Sequence, residues 1–369
     1  MKILLVAGAR PNFMKIAPLI HELKTVSNEI ESKSRILSWK LVHTGQHYDY
    51  DMSKVFFDDF DIPEPDYFLN VGSGSHAEQT AKIMIEFEKV CLEEKPDVVV
   101  VVGDVNSTLA CSVTAKKLNI KVAHVEAGLR SGDMAMPEEI NRIVTDSLSD
   151  YLFVTEKSGI ENLKKEGKKE KHTHFVGNIM IDTLHYCLNK LNSNKTCSSL
   201  QPPIPDLYAV VTLHRPSNVD NPETLRGILS ALAEIAVDMP VYFPIHPRTQ
   251  KNIESFGLKN IIENSAIKLM PPKSYLDFLA LWRNASLVLT DSGGLQEETT
   301  ALGIPCFTIR ENTERPITIE EGTNILVGTS GEKILKAYKQ FKEGYKKTGK
   351  IPELWDGKTA RRILEILFS

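Results

Sequence analysis

A chain of 369 residues, 42% hydrophobic and 25% charged, has the composition of ordinary globular protein and the length of two domains of usual size. Its formal net charge of −4 gives no global attraction to nucleic acid, so any anion it binds must be held by a local site. The first apolar run, Ile3 to Ala7, is too short for a signal-peptide core or a membrane span, and a cytoplasmic protein with no membrane partner is expected.

Short apolar runs rich in β-branched residues recur along the chain, each followed by a longer helical stretch: Ile3 to Ala7, Trp39 to Thr44, Val98 to Val102, Val122 to Val125 and Tyr151 to Val154. That alternation predicts βαβ units, a parallel sheet with helices on both faces. The five valines Val98 to Val102 suit a central strand buried on both sides. After a polar stretch around Asn192 to Pro205, the pattern restarts with Tyr208 to Leu213, Val241 to Ile245, Leu287 to Thr290 and Pro305 to Ile309. An α/β chain with two Rossmann-like parallel-sheet halves follows. The lysine-rich segments Lys164 to Lys171 and Lys339 to Lys350 carry glutamates at helical spacing and are expected to be solvated helix faces. Five cysteines without a CxxC pair indicate packed, reduced thiols and give no metal or disulfide framework.

In open parallel sheets, ligands bind beyond the carboxyl ends of the strands, and there this sequence is strongly polar. Strand one runs into Gly8-Ala9-Arg10-Pro11 and then Lys15, either a phosphate-binding turn built from backbone N–H groups and two cations or a plain strand-to-helix connection. The loop is neither a GxGxxG nor a Walker motif, which removes the usual support for nicotinamide or ATP. Thr44-Gly45-Gln46-His47 offers an amide and an imidazole, and Gly103-Asp104 places an acid at a strand terminus, where an N-cap is the alternative. Glu126 ends a nearly apolar strand, an expensive place for an acid unless it is paired or used. Pro137-Glu138-Glu139 is also ordinary helix-start chemistry. In the second half, His214-Arg215 and His246 follow two strands in equivalent places. Thr290-Asp291-Ser292-Gly293-Gly294 is either a simple glycine turn or a place where bare backbone approaches a pyrophosphate at a helix N-terminus, with Glu298 placed to accept ribose hydroxyls and Arg310 and Arg315 to add charge.

Gly8-Ala9-Arg10-Pro11 with Lys15, Thr44-Gly45-Gln46-His47, Gly103-Asp104, His124-Val125-Glu126-Ala127-Gly128-Leu129-Arg130, Pro137-Glu138-Glu139-Ile140-Asn141-Arg142, Asp291-Ser292-Gly293-Gly294-Leu295-Gln296-Glu297-Glu298 and Thr313-Glu314-Arg315-Pro316 occur in this order. Together they resemble the UDP-N-acetylglucosamine 2-epimerase family. The resemblance implies a GT-B architecture: an N-terminal domain over 1–172, a UDP-binding domain over 173–352, and a terminal helix over 353–369 returning to the first. It also implies a UDP-sugar substrate, a homodimer, and no cofactor or metal. It assigns sugar chemistry to Lys15, Asp104, Glu126, Glu138 and His214. Nucleotide-sugar binding falls to Arg10, Gln46, Arg142, Arg215, His246, Phe278, Ser292, Gly293, Gly294, Glu298 and Arg315.

Inverting the carbon that bears the acetamido group requires loss of a weakly acidic C2 proton. Departure of UDP from C1 acidifies it and leaves a 2-acetamidoglucal. UDP then adds back while the other face of C2 is protonated. The route needs a cationic cradle for pyrophosphate, carboxylates near the sugar, and two proton-transfer groups. The reversible reaction is the expected one, with hydrolysis to UDP and N-acetylmannosamine, 2-epimerisation of a UDP-diacetamido uronic acid, and a GT-B glycosyltransferase as alternatives.

Overall fold

The computed structural model describes residues 1–30, 37–45, 57–193, 204–345 and 347–369. It resolves into two compact units, Met1–Tyr186 with Glu353–Ser369, and Cys187–Pro352.

The first unit is built from β1 (Lys2–Ala7), α1 (Arg10–Ile30), β2 (Ser38–His43), β3 (Tyr67–Phe68), α2 (His76–Glu94), β4 (Val98–Val102), α3 (Asn106–Lys117), β5 (Lys121–Ala127), α4 (Pro137–Leu148), β6 (Tyr151–Val154), α5 (Lys157–Lys165), β7 (Thr173–Phe175) and the first part of α6 (Ile179–Ser193). Among the described residues its seven strands are all parallel, in the order β3-β2-β1-β4-β5-β6-β7. The valines of β4 are all buried, as a strand covered on both faces requires. From β1 the chain first winds outward to β2 and β3, then returns and winds the other way from β4. The strand order therefore reverses between β1 and β4, and the loops after these two strands open at the switch point.

The division between the units falls inside α6, beyond the 172/173 boundary expected from the sequence. The start of α6 belongs to the first unit because it is tied there by side chains. The Thr183 hydroxyl donates to the Met14 carbonyl, and the Asp182 carboxylate accepts from the N–H groups of Thr359 and Ala360 at 3.1 and 2.8 Å. These two groups open the terminal helix Thr359–Phe368, so Asp182 caps it from a distant part of the chain. Burial pushes Asp182 up to about 6 even against those hydrogen bonds. Trp355, 2% exposed, donates Nε1–H to the Thr155 carbonyl, and Arg362 donates to the Val176 carbonyl at 2.9 Å. Trp355→Ala is expected to cost the first unit about 3–5 kcal/mol, through lost burial and the cavity left behind. Urea denaturation measures it, and an unchanged midpoint would contradict this packing role.

The second unit contains β8 (Ala209–Thr212), α7 (Pro216–Val219), α8 (Pro222–Asp238), β9 (Val241–Pro244), α9 (Pro247–Ser255), α10 (Lys259–Glu263), β10 (Ile267–Met270), α11 (Tyr275–Trp282), β11 (Leu287–Thr290), α12 (Gly293–Leu302), β12 (Cys306–Thr308), α13 (Pro316–Glu320), β13 (Asn324–Leu326) and α14 (Gly331–Lys342). Among the described residues its six strands, also parallel, run in the order β10-β9-β8-β11-β12-β13, with the switch point between β8 and β11. Helix α8 turns Leu225, Ile228, Leu229, Leu232 and Ile235 inward at helical spacing, all fully buried. Two Rossmann-like units with the terminal helix returned to the first make this the GT-B class. Among the described residues no helix is long and apolar enough to cross a membrane.

Candidate active site

In the first unit, Asn12 ties the two switch-point loops together. Its Oδ1 accepts from the N–H groups of Gly8 and Ala9 at 3.0 and 2.9 Å, and its Nδ2 donates to the Val102 carbonyl at 3.0 Å. In the glycine turn after β1 these two N–H groups are therefore engaged by the Asn12 side chain.

The acid at the end of β5 sits on a bulge. β5 pairs with β6 through Val125↔Phe153 and then Ala127↔Val154, so Glu126 is the extra residue, with φ at +75°. A bulge re-aims the side chain it carries, and a non-glycine residue at positive φ stores strain. Glu126 is buried and forms an ion pair with the buried Lys15 of α1. Beside the pair lies Gly103, with φ +66°, where an added Cβ would stand 2.8 Å from Lys15 Nζ. Only glycine both adopts that backbone and leaves room for the ammonium.

Asp104, half-buried, accepts from Arg142 Nη1 at 2.6 Å. Arg142 is fixed from behind by buried Glu139, at 2.6 and 3.0 Å. Burial pushes Glu139 up, but the Ser131 and Gly132 N–H groups and the Arg142 guanidinium hold it below the usual carboxylate range. Arg142, expected as a substrate contact, also holds Asp104. Glu138 is exposed beside it in the first turn of α4, and lines a cavity of about 320 Å³ with Asp104, His76, Gln79, Asn106 and Asn141. The structure brings Lys15 to Glu126 and Glu138 to Asp104. Gln46 and the side chain of Arg10 lie outside the described residues.

In the second unit the switch point is bridged by Asp291. Its buried carboxylate accepts from the N–H groups of His214 and Arg215, both at 2.9 Å, and pairs with His214 Nδ1 at 2.7 Å. Burial would raise Asp291, yet His214 and these N–H groups hold it below its ordinary value. The His214 ring is thereby oriented, and it lies 6.0 Å from the His246 ring, centroid to centroid. His246 caps α9, its Nδ1 accepting from the Arg248 N–H, so its Nε2 carries the hydrogen.

Ser292 is the N-cap residue of α12, and Gly293 and Gly294 form its first turn, where N–H groups point out of the helix. Around that end Glu314 binds two guanidiniums, Arg310 at 2.7 Å and Arg215 at 3.3 Å, while Arg315 pairs with Glu297 at 2.7 Å. Burial pushes Glu314 up, but Arg315, Arg310 and Arg215 hold it well below the carboxylate range. Three guanidiniums against two carboxylates beside a helix N-terminus form a cationic cradle. Glu298 is buried and accepts from the Tyr275 hydroxyl at 2.5 Å. Burial, with the nearby Glu297 charge, pushes it up to about 8. Phe278 is half-buried one turn along α11 from Tyr275.

A family model described as UDP-N-acetylglucosamine 2-epimerase matches residues 28–368. Over its full length this chain is 45% identical to the UDP-N-acetylglucosamine 2-epimerase of Methanocaldococcus jannaschii, covering 99% of that protein. The chain belongs to the UDP-N-acetylglucosamine 2-epimerase family. The UDP-2,3-diacetamido-2,3-dideoxy-D-glucuronate 2-epimerase of Pseudomonas aeruginosa is 42% identical over 91% of each chain. The crystal structure of the M. jannaschii enzyme in complex with UDP-GlcNAc and UDP superposes with a TM-score of 0.89, covering 100% of this chain and 99% of that one.

Sequence reasoning within this family pattern left several residues without a role. Asp291, Glu297, Glu314, Tyr275 and Glu139 each hold an expected site residue, and Asn12 holds the turn that precedes Arg10. Asp291, Glu297 and Glu314 lie inside the recognised motifs, and their signal was the excess of acids in segments expected to bind an anion. Tyr275 lies outside every motif, and only the fold brings it to Glu298.

Proposed function

We propose that this chain interconverts UDP-N-acetylglucosamine and UDP-N-acetylmannosamine without net hydrolysis, as a cytoplasmic homodimer. The second unit supplies the cradle for uridine diphosphate: Ser292, Gly293 and Gly294 at the start of α12, Arg215 and Arg315 for the pyrophosphate, His246 and Phe278 beside it, and Glu298 for the ribose. Arg10, Gln46 and Arg142 complete the binding set. His214, oriented by Asp291, serves the anomeric oxygen as it leaves with UDP. The first unit supplies Asp104, Glu126, Glu138 and Lys15. The C1–O bond breaks with its electron pair going to UDP, the C2 proton passes to a carboxylate, and C1=C2 forms. Return of UDP to C1 and of a proton to the opposite face of C2 completes inversion.

The observation that carries this reading is Glu126, a buried acid paired with Lys15 on a strained bulge next to the Asp104 loop. A glycosyltransferase has no use for such acids at a sugar's C2, whereas elimination requires them. A proton NMR time course with UDP-N-acetylglucosamine in deuterated water is expected to show loss of the C2 proton signal and growth of the mannosamine epimer, with no accumulation of free UDP. Stoichiometric free UDP would replace this with the hydrolysing reaction. Absence of exchange without an acceptor would favour sugar transfer. The identity to the P. aeruginosa enzyme favours one second reading, a UDP-diacetamido uronic acid as substrate. A higher kcat/KM for that sugar nucleotide in the same experiment would establish it.

A further inference from the structure

We propose that His124 and Asp146 form a positioning pair that sets the loop carrying Asp104 against the bulge carrying Glu126. Both side chains are fully buried, His124 in the apolar strand β5 and Asp146 near the end of α4. A buried imidazole and carboxylate are costly unless every polar atom is engaged. Here two of the engagements land on peptides of the candidate site. His124 Nε2 meets the Gly103 carbonyl at 2.8 Å, which can only accept, so this nitrogen carries hydrogen. Nδ1 meets Asp146 Oδ1 at 2.6 Å. Asp146 Oδ2 accepts from the Gly128 N–H at 3.0 Å and from Arg130 Nη2 at 2.7 Å. Arg130 in turn forms a two-pronged pair with Glu166, both contacts at 2.7 Å.

The pair therefore grips the carbonyl immediately before Asp104 and the amide two residues after Glu126. Gly103 has φ +66° and no Cβ, so nothing intrinsic to it fixes that peptide's rotation. On the other side of Asp104, Asn141 Nδ2 donates to the Asp104 carbonyl at 2.8 Å. Burial would push Asp146 up, but His124 and Arg130 hold it below its ordinary value, so the pair's hydrogen bonds are charge-assisted. Neither residue reaches the cavity that Asp104 and Glu138 line. They act through backbone.

The activity readout rests on the proposed epimerase reaction; the structural readout does not. Glutamine at 124 keeps an N–H near the Nε2 position and thus the grip on Gly103, whereas asparagine reaches only the Nδ1 position and keeps Asp146 alone. His124→Asn is expected to lower kcat about 100-fold with KM and UDP affinity unchanged, because small misplacements of reacting groups carry losses of that size. His124→Gln is expected to recover most of it. Arg130→Gln, at the more accessible end of the chain of contacts, should lower kcat about ten-fold and remains informative should the His124 variants not fold. A crystal structure of His124→Asn is expected to show the Gly103–Asp104 peptide rotated. The proposal is overturned by equal losses in the two His124 variants accompanied only by lower melting temperatures, by an unchanged kcat in Arg130→Gln, or by an unmoved peptide. Lack of C2 exchange in the wild type would sink the reaction assignment and leave the crystallographic comparison decisive for this pair.

Discussion

Glu126→Gln is expected to lower turnover and C2 deuterium exchange by about 10²–10⁴-fold, the span associated with loss of a positioned proton-transfer group. The substitution is nearly isosteric, so the bulge and its positive φ can persist while the charge disappears. Two effects then combine. The acid near the sugar can no longer take a proton, and the buried Lys15 ammonium loses its counter-charge beside Gly103. The second effect is expected to cost about 3–5 kcal/mol of stability, since breaking a buried pair leaves a charge uncompensated. Lys15→Met with Glu126→Gln should recover much of that stability and none of the activity. Rates per folded molecule in the single and double variants separate the two contributions. Near-normal exchange in Glu126→Gln, and likewise in Asp104→Asn and Glu138→Gln, would end the assignment of sugar chemistry to the first unit.

The second large effect concerns Glu298, and its sign follows from burial. In the folded chain this carboxyl titrates at about 8, against 4.5 for an unperturbed glutamate. A raised value means that folding favours the protonated form. The stabilising contribution is therefore complete below pH 4.5 and is lost as pH rises to about 8, an amount on the order of several kcal/mol. Glu298→Gln is expected to flatten that loss and to melt higher than the wild type at pH 8–9 without ligand. It should also weaken UDP binding about 10–100-fold, because ribose hydroxyls lose a charged acceptor. Binding of UDP to the wild type near pH 7 should release a proton, which calorimetry in buffers of different ionisation enthalpy detects. A variant that melts lower than the wild type at pH 9, or binds UDP equally well, would contradict this account.

The central strands were legible from sequence because burial on both faces writes uninterrupted apolar runs: Val98 to Val102, Tyr151 to Val154 and Leu287 to Thr290 coincide with β4, β6 and β11. The four strands that escaped notice, β3, β7, β10 and β13, are the edges of the two sheets. They have two to four residues and open faces, so neither composition nor alternation marks them. The positions of the candidate acids were legible as polar residues ending apolar strands. Their environments were not. That Glu126 occupies a bulge depends on a register against β6, and that Arg142 turns to Asp104 depends on how α4 meets the loop after β4. The adjacent acids Glu138 and Glu139 could not be told apart by helix-start chemistry. Packing alone buries the second against Arg142 and leaves the first beside the cavity.

The return of Glu353–Ser369 to the first unit sets an order of assembly on the ribosome. Translation proceeds at roughly 5–20 residues per second, so the earlier-made unit waits through the synthesis of Cys187–Pro352 before Trp355 and the helix that lies against α1 emerge. The later-made unit is contiguous and has all its parts first. Nascent chains should therefore acquire protease resistance in the second unit before the first, and the need for chaperones should fall on the surface of α1 that is still waiting for its cover.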